Sequence, residues 1–324
     1  MTLKKRFIPL LGSAAVSLSI LTACQSTPTS SQVASSMVDN VVLPSYSKLH
    51  NAAKDLEQAL EDFAQDPTNA HLKEARSAWK AARKTWEVTE TWAYGPAETL
   101  DFDPNLDDWP VSKSELSSAL NSSSAFTEQA LSRLGTTSRG FHGIEYVLFS
   151  HDDASAFSKN ERSYLQAAVA DLENNAGELL ASWSGSEGFG AVVIADPEAA
   201  IADILAGMEG CLAEVADGKL GGAFDTSNAG ELESVFSGNT GTDILFNIYG
   251  VKSAWEKSGV SSYVDSSLSQ RLSQQLNTAL KLAKSLPSKL NDKLEDQGVQ
   301  KKVNSLREAL TEAAETTVAI SKTL

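Results

Sequence analysis

The residues best suited to chemistry in this sequence are a histidine and a glutamate three positions apart, within the segment Gly140–Glu145. On an α-helix, positions i and i+3 share one face, so the His142 imidazole and the Glu145 carboxylate lie side by side. Such a pair can bind one cation, or can form a hydrogen-bonded pair that poises the histidine for proton transfer. A structural interpretation stands beside these, because a buried histidine and carboxylate can also pair to tie helices together.

The flanks of this pair are apolar, which predicts that the segment is a helix packed inside a domain. Phe141 precedes the two polar residues, Ile144 lies between them, and the apolar run 146–149 follows them. Helices that are apolar on most sides are buried. Two ionisable groups in such surroundings need either partners or a ligand.

The elements that position this pair are predicted to be helices throughout. Apolar residues recur at helical spacing in residues 49–63, 72–86, 268–283 and 303–313. Alternating runs of β-branched residues are missing from the sequence, apart from the ambiguous segment 191–194. The pattern therefore predicts an all-α chain.

The N-terminus resembles a bacterial lipoprotein signal over residues 1–23. A charged start, Lys4–Arg6, precedes an apolar core, and the sequence Leu-Thr-Ala-Cys ends at Cys24. We expect Cys24 to become the lipidated mature N-terminus, with residues 24–36 as a Ser/Thr/Pro-rich tether. The glutamine that follows Cys24 fits sorting to the outer membrane, with the protein facing the periplasm.

The remaining chain is long enough for two domains of ordinary size. Turn signals of Gly, Pro and Asp fall between the helical patterns, and the stretch 184–190 is the richest in Gly and Ser. We therefore predict an N-terminal helical-bundle lobe over residues 37–184, a linker over 185–190 and a C-terminal helical-bundle lobe over 191–324.

Charge and cysteine content exclude several classes of function. The chain has 42 Asp and Glu against 27 Lys and Arg, and removing the three basic signal residues leaves 24, a formal charge of −18. Such a protein repels nucleic acid and favours cations or basic partners. If Cys24 carries lipid, only Cys211 remains, so no intramolecular disulfide can form and a cysteine metal site is disfavoured.

Three separated blocks resemble the imelysin family, which includes the insulin-cleaving membrane protease and iron-regulated protein A types. They are residues 79–90, the G-x-H-x-x-E segment 140–145, and residues 233–243. The resemblance implies two pseudo-symmetric helical-bundle lobes, with G-x-H-x-x-E near a pocket where the lobes meet, and a relation to iron uptake. The sequence departs from the family pattern at Trp86, at Gly143 and at Gly218-Lys219, where many relatives have Tyr, Ala and Glu-Arg.

These residues predict a metal site made of His142, Glu145 and Glu90, which together offer one nitrogen and two carboxylates. That mixture suits iron first and zinc second, and suits calcium or magnesium less well. Arg83 lies two turns before Glu90 on the same helix face. It is predicted to neutralise a carboxylate or hold an anionic ligand, with a helix-surface ion pair as the alternative.

The third block and the tryptophans add further candidate ligand-binding residues. Ser237, Asn239 and Asp243 either cap a helix or contact a ligand, and capping is the preferred role for Ser237 or Asn239. Trp109 and Trp92, near irregular segments, could line a groove for a sugar or peptide.

The family's peptidase name finds little support in the motifs. The sequence has no H-E-x-x-H, its G-x-H-x-x-E is followed by Tyr146 rather than histidine, and no G-x-S-x-G elbow occurs. We therefore predict a lipoprotein that binds iron or an iron chelate at the cleft between the lobes and passes it to iron-transport components. A polysaccharide- or peptide-binding lipoprotein is the alternative, and a metallopeptidase ranks below both.

Overall fold

The computed structural model describes residues 27–122 and 124–324, so the predicted signal 1–23 and Cys24 lie outside the described residues. Within those ranges the chain is all-α and contains no strand, which confirms the predicted fold class. The first helices are α1 Ser30–Met37, α2 Leu43–Gln65, α3 Asn69–Thr89, α4 Pro96–Thr99, α5 Phe102–Asp107, α6 Lys113–Leu120, α7 Glu128–Leu131 and α8 Gly140–Leu148. The later helices are α9 Lys159–Trp183, α10 Phe189–Ala195, α11 Pro197–Ala213, α12 Gly222–Thr226, α13 Thr240–Lys257, α14 Val260–Tyr263, α15 Ser266–Ala283 and α16 Gln297–Ser321.

The long helices pack in two groups that meet along α3 and α13. In the first group α2 packs against α3 and α9, and α8 packs against α9. In the second group α16 packs against α11 and α15, and α13 packs against α11 and α15. Because α13 also packs against α3, one continuous apolar core runs through both groups. No helix in the described part of the chain is both long and apolar enough to cross a membrane.

The structure differs from the predicted tether over residues 30–36, which belong to α1. Thr29 and Gln32 form a reciprocal capping box at the start of this helix. Val33 and Ala34 are fully buried, and the helix packs against α10 and α11. Two apolar residues and a good N-cap are enough to dock this segment, although its composition is that of a linker.

The predicted linker 185–190 is shorter in the structure, because α10 already begins at Phe189. The Phe189 ring packs edge-on against Trp183 at the end of α9, with their centroids 4.9 Å apart. The irregular segment is therefore held against the core on both sides. The lobe boundaries around it stay a prediction.

Two glycines allow the close helix contacts that build the interior. Gly140 begins α8 with a φ of 58°, and a Cβ there would lie 2.3 Å from the Leu106 carbonyl oxygen. At Gly250 on α13 a Cβ would lie 2.3 Å from the Val88 carbonyl oxygen. Glycine removes both clashes, so α5 lies directly against α8, and α13 directly against α3.

Candidate metal centre

A buried cluster of charged residues lies where α3, α5, α8 and α13 meet. We call it the central ion cluster. Its members are Arg83, Glu87, Glu90, Asp107, His142, Glu145, Lys219, Glu233, Asp243 and Asn247. They come from all three blocks of sequence described above and, in the case of Asp107, Lys219 and Asn247, from positions outside those blocks.

Arg83 is the hub of the cluster on the α3 side. Its Nη2 lies 2.6 Å from Glu87 Oε1, one turn along the same helix, and 3.4 Å from Glu233 Oε2. Its Nη1 donates a hydrogen bond to Asp107 at the end of α5. Arg83 is fully buried, so the alternative of a surface ion pair is wrong. The guanidinium neutralises carboxylates from three segments at once, as its planar fork of donors allows.

His142 lies between two carboxylates. Its Nδ1 is 3.3 Å from Glu145 Oε2 on the same helix, as the i, i+3 spacing predicts. Its Nε2 is 3.1 Å from Asp107 Oδ1, at ion-pair distance but outside the geometry of a hydrogen bond. The other Asp107 oxygen accepts a hydrogen bond of 2.6 Å from Trp86 Nε1, which fixes the orientation of the carboxylate.

The carboxylates around His142 govern its protonation. Burial and the Arg83 charge lower the pKa of His142, but Asp107 and Glu145 outweigh them and raise its pKa to about 9. Burial raises the pKa of Asp107, but Arg83 and His142 bring it well below its usual range. His142 is therefore a cation at neutral pH in the metal-free protein.

The third block closes the cluster through its backbone. The Ser237 amide nitrogen donates a hydrogen bond of 2.7 Å to Glu145 Oε1. The Ser237 carbonyl accepts a hydrogen bond of 3.1 Å from Lys80 Nζ on α3. Ser237 therefore holds Glu145 so that its other oxygen faces His142.

Lys219 provides a second buried cation on the opposite side of Glu87. It belongs to a wide π-helical segment, Glu214–Gly221, and is 4% exposed. Its Nζ lies 3.1 Å from Glu87 Oε2, 2.8 Å from Glu90 Oε2 and 3.0 Å from Glu233 Oε2. π-Helical turns are rare and often occur at functional sites.

Two residues of α13 complete this side of the cluster. The Asn247 amide donates hydrogen bonds to Glu90 and to Glu87 Oε2, the latter at 2.8 Å. Asp243 Oδ1 accepts a hydrogen bond of 2.6 Å from Asn239 Nδ2. Asn239 is the residue before α13, but its side chain does not cap the helix, so the preferred capping role does not apply to it.

Negative charge is in excess in the cluster. It contains Arg83 and Lys219 as permanent cations, and its carboxylates are those of Glu87, Glu90, Asp107, Glu145, Glu233 and Asp243. Burial and Glu87 raise the pKa of Asp243 to about 8. Burial and Glu87 also raise the pKa of Glu90 well above its usual range, against the effect of Lys219. Buried carboxylates in excess favour binding either protons or a metal cation.

The donors present fit a transition-metal cation. Glu87, Glu90 and Asp107 each place an oxygen within 4.8 Å of the other two. The His142 imidazole lies 3.1 Å from Asp107 Oδ1 but is not one of this group of ligand atoms, so it adjoins the triad at Asp107. Among the described residues Asp243 Oδ2 and Asn247 Oδ1 are buried without a hydrogen-bond partner. A shell rich in oxygen with one imidazole suits iron, manganese or zinc.

The structure brings together most, but not all, of the residues singled out from sequence. His142 and Glu145 form a pair, whereas Glu90 contacts Lys219 and Asn247, and in the described chain it has no hydrogen bond or ion pair with His142. Trp109 is half-buried, and in the described chain it forms no hydrogen bond with the cluster. Trp92 is fully buried, so its predicted place in a groove is wrong.

Five members of the cluster were missed by sequence reasoning: Glu87, Asp107, Lys219, Glu233 and Asn247. Glu87 could have been found, because it follows Arg83 by one helical turn and i, i+4 pairs face each other. Lys219 was noted only as a departure from the family pattern. The sequence around Asp107 does not indicate a functional residue, since Asp107 ends a short helix of mixed composition.

Comparison with known proteins identifies the relatives of this chain. A sequence model of the imelysin family matches residues 42–317. The iron-regulated protein A of Synechococcus elongatus is 34% identical over 259 residues, which cover 76% of this chain and 69% of that protein.

Two solved structures share the fold. A crystal structure of a putative iron-regulated protein A precursor from Parabacteroides distasonis gives a TM-score of 0.79 at 22% identity, covering 92% of this chain and 96% of that one. An imelysin-like protein from Psychrobacter arcticum gives a TM-score of 0.74 at 15% identity, covering 91% and 96%.

Proposed function

This chain belongs to the imelysin family, and we propose that it binds a metal cation, iron in the first place, at the central ion cluster as a step in bacterial iron uptake. The observation that carries the proposal is the triad Glu87, Glu90 and Asp107, whose oxygens lie within 4.8 Å of one another beside His142. The relative from Synechococcus is named for regulation by iron, which makes iron the first metal to test.

The residues around the triad would hold it ready for a cation. Asp107 and His142 would offer an oxygen and a nitrogen, and Glu87 and Glu90 further oxygens. Arg83 and Trp86 fix Glu87 and Asp107 in place, while Ser237 fixes Glu145 against His142. Such outer partners orient metal ligands and contribute to affinity. A bound cation would offset the excess negative charge that the cluster carries.

We further propose that the protein works at a bacterial membrane, anchored through a lipid on Cys24 and facing the periplasm from the outer membrane. The motif Leu-Thr-Ala-Cys supports this assignment. The strongly acidic chain would favour cations at the bilayer surface. Iron-transport components of the same envelope would receive the metal.

A small organic ligand is the second candidate, favoured by one cavity. About 590 Å³ of space lies on the outer side of α8, where Tyr146, Phe149 and Phe236 line it. Aromatic faces of this kind bind sugars or peptide side chains. Binding of an oligosaccharide or a peptide that is lost in Phe236→Ala, without metal binding by the protein, would favour this function.

The experiment that tests the proposal is a calorimetric titration of the purified metal-free protein with Fe²⁺ under anaerobic conditions, and with Zn²⁺, Cu²⁺ and Mg²⁺. We expect Fe²⁺ to bind at one site and Mg²⁺ to bind much more weakly, because Mg²⁺ prefers oxygen ligands to an imidazole nitrogen. The Glu87→Gln variant should bind Fe²⁺ more weakly. The matched control is Glu173→Gln, which changes the carboxylate paired with His50 at 2.7 Å outside the cluster. Equal loss in both variants, or no binding by the wild type, would refute the proposal.

A further inference from the structure

The Lys219 ammonium is surrounded by more carboxylate oxygens than it has protons to donate. Its Nζ lies within 2.8–3.1 Å of both oxygens of Glu90 and of one oxygen each of Glu87 and Glu233. An ammonium has three protons to donate, so four oxygens gathered around it resemble the surroundings of a coordinated cation. The carboxylates of Glu87 and Glu90 are also two members of the metal triad.

Every carboxylate of the triad is already bonded to a cationic side chain. Arg83 contacts Asp107 and one oxygen of Glu87, and Lys219 contacts Glu90 and the other oxygen of Glu87. A metal that draws oxygens from all three residues must therefore replace one of the two cations. Two cations and a metal cannot share the same oxygens, because their charges repel one another at such distances.

The two cations differ in how easily they can leave. Arg83 lies on the long helix α3 and also reaches Glu233 and stacks 5.6 Å from the Phe141 ring, so several contacts hold it. Lys219 is a point charge on a flexible four-carbon stem. Its segment is a π-helix that includes Gly218 and Gly221, a rare conformation that is frequent at functional sites.

A second carboxylate on the same segment can receive the displaced ammonium. Glu214 precedes Lys219 by five residues, the span of the i→i+5 hydrogen bond of a π-helix, so the two residues lie about one turn apart. Glu214 is exposed and already acts on Lys219 electrostatically. The lysine can therefore turn toward solvent without losing every partner.

We propose that Lys219 is a built-in competing cation, whose Nζ occupies the oxygens of Glu87 and Glu90 that the metal takes on binding. This inference rests on the proposed function of the cluster. Before metal arrives, Lys219 keeps the carboxylates close together and neutralised. When a multivalent cation binds, its higher charge outcompetes the ammonium and the lysine moves away. Weakly bound monovalent cations cannot displace the ammonium, so Lys219 makes the site selective for multivalent cations.

The first test compares Fe²⁺ and Zn²⁺ affinities of Lys219→Met, Lys219→Arg and wild-type protein by calorimetry. Methionine keeps the length of the side chain and removes its charge, so we expect binding about 10-fold tighter or more, the scale on which groups beside metal ligands alter affinity. Arginine keeps the charge, and Lys219→Arg should bind no more tightly than wild type. Lys252→Met is the control, because Lys252 pairs with Glu256 on the surface. Equal or weaker binding by Lys219→Met would overturn the inference.

The second test uses wild-type protein and does not depend on the stability of a variant. Reductive dimethylation followed by peptide mass spectrometry measures the accessibility of each lysine amine. Lys219 should be protected in the metal-free protein and become labelled when Zn²⁺ is bound, while labelling of Lys252 stays constant. Continued protection of Lys219 in the Zn²⁺-bound protein would overturn the inference.

Metal binding by wild type and by Lys219→Met distinguishes the proposed function from the proposed role of Lys219. If the wild type binds metal but Lys219→Met binds no more tightly, the proposed function stands and the competing cation does not. If only Lys219→Met binds metal, Lys219 does block the site and the wild-type function is something other than metal binding. If neither binds metal, both proposals fail.

Discussion

His142 Nε2 lies 3.1 Å from Asp107 Oδ1, so the histidine of the G-x-H-x-x-E helix faces a carboxylate that comes from a separate short helix. The same carboxylate is bonded to Arg83 and to Trp86 Nε1. Asp107 therefore connects the α3 side of the cluster to the α8 side, and the chemistry of His142 depends on it.

The first prediction concerns the protonation of His142. Replacing Asp107 by Asn removes the charge that raises the pKa of His142 but keeps an amide oxygen in its place. We expect the pKa of His142 to fall from about 9 toward or below the ordinary histidine value of about 6.5. NMR titration of the imidazole signals measures this pKa directly. As a control, the Asp171→Asn variant changes a carboxylate near Arg139 and should leave the pKa of His142 unchanged.

The second prediction is that the metal-free protein loses stability as pH rises from 6.5 to 9. The pKa of His142 is raised in the folded state, so its stabilising proton is fully present below about 6.5 and is lost as pH passes 9. The pKa of Asp243 is also raised, to about 8, so the folded protein loses a favourable proton there as well. Each shift alone predicts a loss of about 2 kcal/mol over this range, so the two together predict a loss on the order of 4 kcal/mol.

Urea unfolding at several pH values measures this dependence. Asp243→Asn keeps the oxygen that accepts from Asn239 and mimics the protonated acid, so its stability should fall less steeply with pH than that of wild type. A wild-type unfolding free energy that is flat or rising between pH 6.5 and 9 would contradict the assigned protonation states.

The third prediction concerns Arg83. Its removal leaves Glu87, Asp107 and Glu233 without a shared cation in a buried place. We expect Arg83→Met to lower the free energy of unfolding by about 3–5 kcal/mol, as for other broken buried ion pairs. Arg271→Met is the control, because Arg271 is exposed on α15, and it should change stability by less than about 0.5 kcal/mol. Similar stabilities for the two variants would show that Arg83 does not hold the cluster together.

The fourth prediction concerns the membrane anchor. Cys24→Ser should abolish lipidation and release the protein from the membrane fraction, because the proposed anchor is a lipid on this thiol. Fractionation of cells that express either form, followed by a high-salt wash, measures the distribution. Retention of Cys24→Ser in the washed membrane would contradict a lipid anchor at this residue.

The sequence predicted the fold class and one half of the cluster well, because both depend on local spacing. Helical periodicity gave the all-α chain, and the i, i+3 spacing placed His142 beside Glu145. Arg83 was chosen because it precedes Glu90 by two turns of a predicted helix; the structure ends α3 just before Glu90 and places both residues in the cluster.

The other half depends on contacts between residues distant in the chain. Lys219 reaches Glu87 across 132 positions and Asn247 reaches it across 160. No periodicity carries such information, and a charged residue in a polar stretch is usually exposed. The glycines at 140 and 250, which allow the helices to approach, likewise show their purpose only in the folded chain.

The most direct test of metal binding is the dissociation constant of Fe²⁺ for wild type, His142→Ala and His50→Ala, measured by anaerobic calorimetry. His142 is the histidine that adjoins the carboxylate triad, at Asp107, whereas His50 pairs with Glu173 outside the cluster. We expect His142→Ala to bind Fe²⁺ at least ~10-fold more weakly and His50→Ala to bind it like wild type. A His142→Ala variant that keeps the wild-type affinity but melts far earlier would contradict it, and would leave His142 and Glu145 as a structural tie between helices.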